Sequence, residues 1–454
     1  MKRPDTDFEA LDKHYLWHPF TQMKEWMESP QLVIERAKGV YLYDTNGRKY
    51  LDGISSLWAN IHGHRHPQIV RAIRKQLATL EHSTFLGLSN VPAARLGEKL
   101  VTLAPPGLKR VFYSDNGSTA VEIALKMSFQ YWRQKGGKFS RKQTFISFTN
   151  AYHGDTIGSV SLGGVDLFHR IFKPLLFKSF KVSYPSCYRC PFGKRVESCD
   201  IYCLKEFEAT LRKHRSEVCA VVVEPAVQGA AGMLTAPRGF LKRVETLCRA
   251  SDVHLILDEV ATGFGRTGTM FACEQERVAP DFLALAKGLS GGTLPLAATL
   301  TTQEVFDGFL GWYEEFKSFF HGHTYTGNPL ACAAALASLQ IFEEEKTLER
   351  LQAKIQHLKR GLRRFRDLLH VGDVRQAGFM AGIELVRRRE AKLSYSARER
   401  VGHAVVLEAR RRGVILRPLG NVIVLMPPLV ISRDQLQALL DITYESIQTV
   451  TNSS

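Results

Sequence analysis

Residues 254–292, HLILDEVATGFGRTGTMFACEQERVAPDFLALAKGLSGG, hold two short apolar runs that each end in an ionisable residue: LIL runs into Asp258 and FLALA into Lys287. Such runs read as strands of a parallel sheet covered on both faces, with their carboxyl ends opening into loops. In open α/β sheets that edge is where ligands bind. A lysine set directly after five apolar residues is poorly hydrated. Loss of water disfavours its charged form and leaves a nucleophilic amine suited to a Schiff base. An aspartate at a neighbouring strand end can hold a ring nitrogen protonated, the pairing that pyridoxal phosphate needs to act as an electron sink. Taken singly, Asp258 also reads as a helix cap and Lys287 as a solvated loop residue.

Outward from this stretch, residues 110–302 alternate apolar runs with helical patterns: RVFYS, a helix from about 118, TFISF, CAVVVEP, a helix over 238–250, the two runs above, and LPLAATLTT. That alternation predicts βαβ units and a mostly parallel sheet, an α/β fold. The expected division is an N-terminal segment 1–65 serving the small domain and the active site, a large domain 66–335, and a small α+β domain 336–454. The first segment is aromatic-rich (Tyr15, Trp17, His18, Phe20, Trp26) and then reads as short strands. A hairpin is expected at Thr45-Asn46-Gly47. Helices are predicted over 67–81, 328–345 and 348–366, the last strongly basic, and strands near 379–386 and 422–426.

Other strand ends carry weaker signals. Asn116-Gly117-Ser118 opens a helix after RVFYSD, so Gly117 and Ser118 read either as a phosphate cradle at a helix N-terminus or as a plain Ser cap. Tyr152, in the Tyr152-His153-Gly154-Asp155 stretch after TFISF, can stack on a planar ring or simply pack. Glu224 and Gln228 follow a third strand, where they could hold a cofactor oxygen, orient neighbours or occupy a turn. Gly322, His323 and Thr324 precede another helix and make a second phosphate candidate. Their agreement across one sheet edge weighs more than any single motif.

The chain has 454 residues, 44% of them hydrophobic, enough for two or three domains with sizeable cores. Its formal charge of +16 is dispersed along helices rather than gathered in blocks, which argues against nucleic acid and for solvated helix faces. No apolar run reaches the roughly 18 residues needed to span a bilayer, and MKRPDTDFEALDKHYLW lacks a signal-peptide core, so a cytoplasmic protein without membrane partners is expected. Eight cysteines do not make a disulfide scaffold. Four of them, Cys187, Cys190, Cys199 and Cys203, cluster with spacing short of a zinc site, so no metal is assigned and free thiols are the simpler expectation.

The order SDNGSTAVEIALK, AYHGDT, EPAVQGAAGM, LDEVATGFGRTG, LALAKGLSGG and HGHTYTGNPLA resembles the class III, ornithine-type aminotransferases across nearly the whole chain. The resemblance implies fold type I, with pyridoxal 5'-phosphate bound covalently to Lys287, its ring nitrogen on Asp258 and its ring under Tyr152. It implies that Gly117 and Ser118 bind phosphate in one subunit while His323 and Thr324 reach it from the other subunit of a homodimer. Trp58, Tyr152, Gly322 and Arg417 match substrate positions, Arg417 facing a carboxylate, and Asp155 and Arg266 match a second pair near the site. HPFTQM, DGISSLWANIHGHRHP, HSTFLGLSN and ILRPLGNVIVLMPP resemble the branch that aminates 8-amino-7-oxononanoate in biotin biosynthesis. Family members often carry aromatic residues where this chain has Phe20, Leu57 and Val424: a Tyr, a second Trp and a Tyr. Those departures leave S-adenosylmethionine and L-lysine both open as amino donor, and another ω-amine aminotransferase as the alternative activity.

Overall fold

Seven strands form the central sheet of the computed structural model, which describes residues 6–452. They are Leu108–Ser114 (β1), Thr144–Phe148 (β2), Phe180–Val182 (β3), Val218–Val223 (β4), His254–Asp258 (β5), Phe282–Leu285 (β6) and Ala297–Thr302 (β7). Their order across the sheet is β1-β7-β6-β5-β4-β2-β3. Every neighbouring pair is parallel except those made by β7, which runs against both β6 and β1. β1 and β6 therefore point the same way, and six carboxyl ends share one edge.

The apolar runs read as strands because both faces of the sheet are covered. In β5, Leu255 and Leu257 enter one core cluster while Ile256 enters the other, so neither face is left to water. Each such side chain, fully buried, contributes about 1.5–3 kcal/mol. Helix Gly117–Lys135 (α1) packs across β6 and β7, and helix Phe240–Ala250 (α2) packs on β5. The protein is an α/β structure with a mostly parallel sheet, as the alternation predicts.

The expected hairpin forms: Tyr41–Asp44 pairs antiparallel with Lys49–Asp52, and Gly47 in the turn takes a φ of +79°. Lys49–Asp52 also lies parallel to Val414–Ile415, so an early segment of the chain is fixed against a late one. A second small sheet joins Val371–Ala377, Met380–Leu385, Val422–Leu425 and Arg417–Leu419. The predicted helices run Pro67–Leu77, Pro329–Glu344 and Thr347–Leu362, the last continued by a 3-10 turn Arg363–Asp367. Among the described residues no helix is long and apolar enough to cross a membrane. The four clustered cysteines lie between β3 and β4 as free thiols, and among the described residues no group of three or more His, Cys, Asp and Glu is arranged to hold a metal ion.

Candidate active site

A cavity of about 530 Å³ opens at the shared carboxyl edge, lined by Lys287, Asp258, Tyr152, Gly117, Ser118 and Trp58 among others. A larger one, about 970 Å³, lies between the cysteine loop and helix Thr347–Leu362. None of its lining residues belongs to the seven-stranded sheet, so the smaller cavity is the one that gathers the ionisable residues at that sheet's carboxyl edge.

Asp258 is the last residue of β5 and is buried. Its Oδ1 accepts the Val260 N–H at 3.1 Å and its Oδ2 lies 2.7 Å from His153 Nδ1, so both oxygens are anchored. His153 follows β2, and its Nε2 is buried without a partner. Lys287 comes two residues after the end of β6 with a φ of +43°, a conformation that bulky L-residues avoid and that clusters at functional sites. Burial pulls its ammonium below the usual lysine range, and the charges of Asp258 and Glu224 only partly restore it. Its Nζ lies 5.6 Å from the centre of the Trp58 ring.

Tyr152 is held at three points. Its N–H donates to Glu224 Oε1 at 3.1 Å, its hydroxyl donates to Asp155 Oδ2 at 2.6 Å, and its ring lies parallel to that of His169, 6.4 Å away. Glu224, at the end of β4, also accepts the Gly229 N–H at 3.0 Å. Burial, reinforced by the Asp258 charge, pushes its carboxyl up to about 7. Gln228 donates instead to Thr149 O at 3.0 Å and does not line the cavity.

The start of α1 corrects one alternative: the cap is Asn116, not Ser118. The Asn116 side chain accepts the Thr119 N–H at 3.1 Å, and the Thr119 hydroxyl oxygen accepts the Asn116 N–H at 3.3 Å. The N–H groups of Gly117 and Ser118 are thus left in the first turn without intrahelical acceptors. Two glycines keep this corner open. A Cβ on Gly117 would come 2.6 Å from Val260 Cγ1, and one on Gly154 would overlap Ser118 Oγ at 1.8 Å. Free amides at the positive end of a helix, with the nearby backbone pared to glycine, fit a phosphate group. A desolvated lysine and an anchored aspartate in the same cavity fit a pyridine aldehyde.

Trp58 ends a left-handed turn in which Ser55, Ser56, Leu57 and Trp58 have φ values of +52°, +46°, +75° and +71°. Each such residue costs about 1–2 kcal/mol, so the surroundings must impose the turn. Arg266 is buried, and burial pulls its guanidinium down to about 9. It does not pair with Asp155: it donates to Pro427 O at 2.7 Å, Asn60 O at 2.8 Å and Trp58 O at 3.3 Å. Arg417 is half-buried beside Tyr152, and among the described residues no carboxylate lies within ion-pair distance of it.

Residues 22–447 match the family Aminotransferase class-III. The chain belongs to the class III aminotransferases. It is 58% identical to an adenosylmethionine-8-amino-7-oxononanoate aminotransferase of Nitratidesulfovibrio vulgaris, over 97% of this chain and 82% of that protein. Among solved structures it is similar to the enzyme of that name from Methanocaldococcus jannaschii, with 48% identity, a TM-score of 0.93, and 97% of this chain and 98% of the other covered. An omega transaminase from Pseudomonas jessenii, solved in complex with PMP, is 32% identical with a TM-score of 0.94 over 99% of both chains.

In this class III aminotransferase, part of the expected set stays outside the cavity of the single chain. Gly322 and Thr324 are exposed, and the helix that follows them is capped by Asn328 rather than by either. His323 reaches the rim, with Nδ1 3.1 Å from Asp115 Oδ2. Two features escaped the sequence reading. His153 meets Asp258 across the width of β4, and nothing in the spacing announces that contact. Equally silent is Asp52, which meets His64 Nε2 at 3.0 Å and accepts the Ser56 N–H of the left-handed turn at 3.0 Å.

Proposed function

We propose that this aminotransferase converts 8-amino-7-oxononanoate to 7,8-diaminononanoate in biotin biosynthesis, as a cytoplasmic homodimer with pyridoxal 5'-phosphate as cofactor. The amino donor is S-adenosylmethionine or L-lysine. The observation that carries the substrate assignment is 58% identity, over 97% of this chain, to a protein bearing that activity in its name.

When bound, pyridoxal phosphate supplies an electron sink that accepts an amino group and makes the neighbouring carbon–hydrogen bond acidic. Lys287 Nζ, whose charged form burial disfavours, would bind the cofactor and, when free of it, would move the α-proton. Asp258, fixed by His153 and Val260, would hold the proton on the ring nitrogen. Tyr152 would pack against the ring, and the Gly117 and Ser118 amides would take the phosphate. Arg417, beside Tyr152, offers an unpaired fork to the carboxylate of the keto acid, Trp58 lines the cavity, and Gly322, outside the cavity of its own chain, would reach the substrate in the dimer. His323 and Thr324 complete the phosphate site from the second subunit. Exposed Trp17 (89%), Trp312 (83%), Tyr313 (85%) and Phe320 (77%) support a second copy, since such apolar surface marks interaction sites.

The departures at the donor side take shape here. Val424 is buried in a cluster with Trp58, Met380 and Met426, while Phe20 is exposed and packs edge-on to Phe168, which in turn meets Tyr152. Neither offers a hydroxyl to a donor. The test is a single-turnover experiment: holoenzyme mixed with S-adenosylmethionine or with L-lysine, then with 8-amino-7-oxononanoate. One donor should bleach the cofactor's visible band and the keto acid should restore it. A band restored only by other amino acceptors would assign a different ω-amine aminotransferase of the class.

A further inference from the structure

We infer that Asp52, backed by His64, is a positioning residue that sets Trp58 in the substrate pocket. The inference rests on reading Trp58 as a wall of that pocket. Four consecutive left-handed residues, none of them glycine, persist only where the surroundings over-determine them. Asp52 supplies that constraint. Its carboxylate is fully buried and accepts four hydrogen bonds: Oδ1 from Ile54 N (3.2 Å) and Ser56 N (3.0 Å), Oδ2 from Ser56 Oγ (2.8 Å) and His64 Nε2 (3.0 Å).

His64 is oriented in turn. Its Nδ1 lies 3.3 Å from Asn60 Nδ2, which can only donate, so the ring proton sits on Nε2 and points at Asp52. Asn60 follows the turn by two residues, and the network therefore closes a ring from 52 to 64 with Trp58 inside it. On the far side, Ser55 Oγ donates to Met426 O at 2.7 Å and ties the turn to the end of strand Val422–Leu425. What this ring delivers is the Trp58 indole, lining the cavity 5.6 Å from Lys287 Nζ, with Nε1 buried and without a partner. Asp52 and His64 are absent from the cavity wall, so their effect on substrate runs through the turn.

The test uses the holoenzyme with Asp52→Asn and His64→Gln. The readouts are the near-ultraviolet circular dichroism of Trp58, obtained by difference from the matching Trp58→Phe proteins, the cofactor's visible absorbance, and KM and kcat for the keto acid. Asp52→Asn should keep full cofactor occupancy, lose the Trp58 signal and raise KM about 10-fold or more with kcat much less affected, since small misplacements of positioning groups have large kinetic effects. His64→Gln should move the same readouts in the same direction by a smaller factor. A native Trp58 signal with native KM in Asp52→Asn overturns the inference. So does an equal loss of cofactor, signal and turnover in His64→Gln, which marks a merely structural role. If Asp52→Asn does not fold, His64→Gln decides alone by the same criteria. The Trp58 signal is read without substrate, so it stands even if the true acceptor is another keto compound, with which KM is then measured.

Discussion

His153 Nδ1 lies 2.7 Å from Asp258 Oδ2, joining the loop after β2 to the end of β5 across the strand between them. The contact fixes the rotation of the carboxylate that is to hold a ring proton. Asp258→Asn should keep the cofactor and lose activity by about 10²–10³-fold, the scale of removing one preorganised electrostatic group. His153→Phe removes a hydrogen bond to a charged group, worth about 1.5–3 kcal/mol, and should lower kcat about 10- to 100-fold with little change in KM. Wild-type kcat in either protein would remove the pair from the mechanism.

Lys287 gives a pH dependence with a defined sign. Burial lowers its ammonium and the carboxylates of Asp258 and Glu224 raise it, with burial the larger effect. Cofactor uptake by the apoprotein requires the neutral amine, so its rate should rise with pH through a midpoint below the ordinary lysine value of about 10.4. Glu224→Gln removes a negative charge and should move that midpoint lower still. A midpoint at the ordinary value in the native apoprotein would mean that the amine is hydrated. Lys287→Ala should abolish both turnover and the visible band of the lysine-bound cofactor.

Much of this was legible because parallel strands buried on both faces leave uninterrupted apolar runs, and the residues closing those runs, Asp258, Lys287, Tyr152 and Glu224, fall at one edge. What could not be read depends on contacts distant in sequence. The left-handed turn at 55–58 consists of ordinary L-residues whose conformation is imposed by Asp52, His64 and the carbonyl of Met426, 371 positions beyond Ser55. The Asn116 cap was open to reading, since Thr119 three residues on completes a capping box. Arg266 illustrates the reverse case: an arginine that the resemblance sets near the site binds three backbone carbonyls, a choice that only the folded chain reveals.

Two glycines separate conformational from steric requirements. Gly47 and Gly154 both have positive φ, but a Cβ on Gly47 meets nothing within 4 Å, whereas one on Gly154 meets Ser118 Oγ at 1.8 Å. Gly47→Ala should lower stability by about 1 kcal/mol and leave cofactor affinity unchanged. Gly154→Ala must displace Ser118 as well, so it should weaken cofactor binding at least 10-fold, measured by titrating the apoprotein. Equal affinity in the two variants would dissociate the Gly154–Ser118 contact from the phosphate site.

Arg417 has no carboxylate of its own among the described residues, which leaves its fork for a ligand. Arg417→Lys keeps the charge and loses the planar bidentate geometry. It should raise KM for the keto acid about 10-fold or more, while an amino donor lacking contact with it reacts at the native rate in the first half-reaction. Unchanged KM would move carboxylate recognition elsewhere.

Thr324 is exposed and stands outside the cavity of its own chain, which poses the question of whose phosphate site it serves. A mixed-dimer experiment separates the possibilities. Thr324→Asp should inactivate by placing a carboxylate against phosphate, and Lys287→Ala inactivates by removing the amine. Refolded together in equal amounts, about half the dimers should be hybrids. If Thr324 acts across the interface, each hybrid pairs one intact Lys287 with the other subunit's intact Thr324, and the mixture regains about a quarter of native activity. If Thr324 served its own chain, every site in the hybrid would carry one lesion and the mixture would stay inactive.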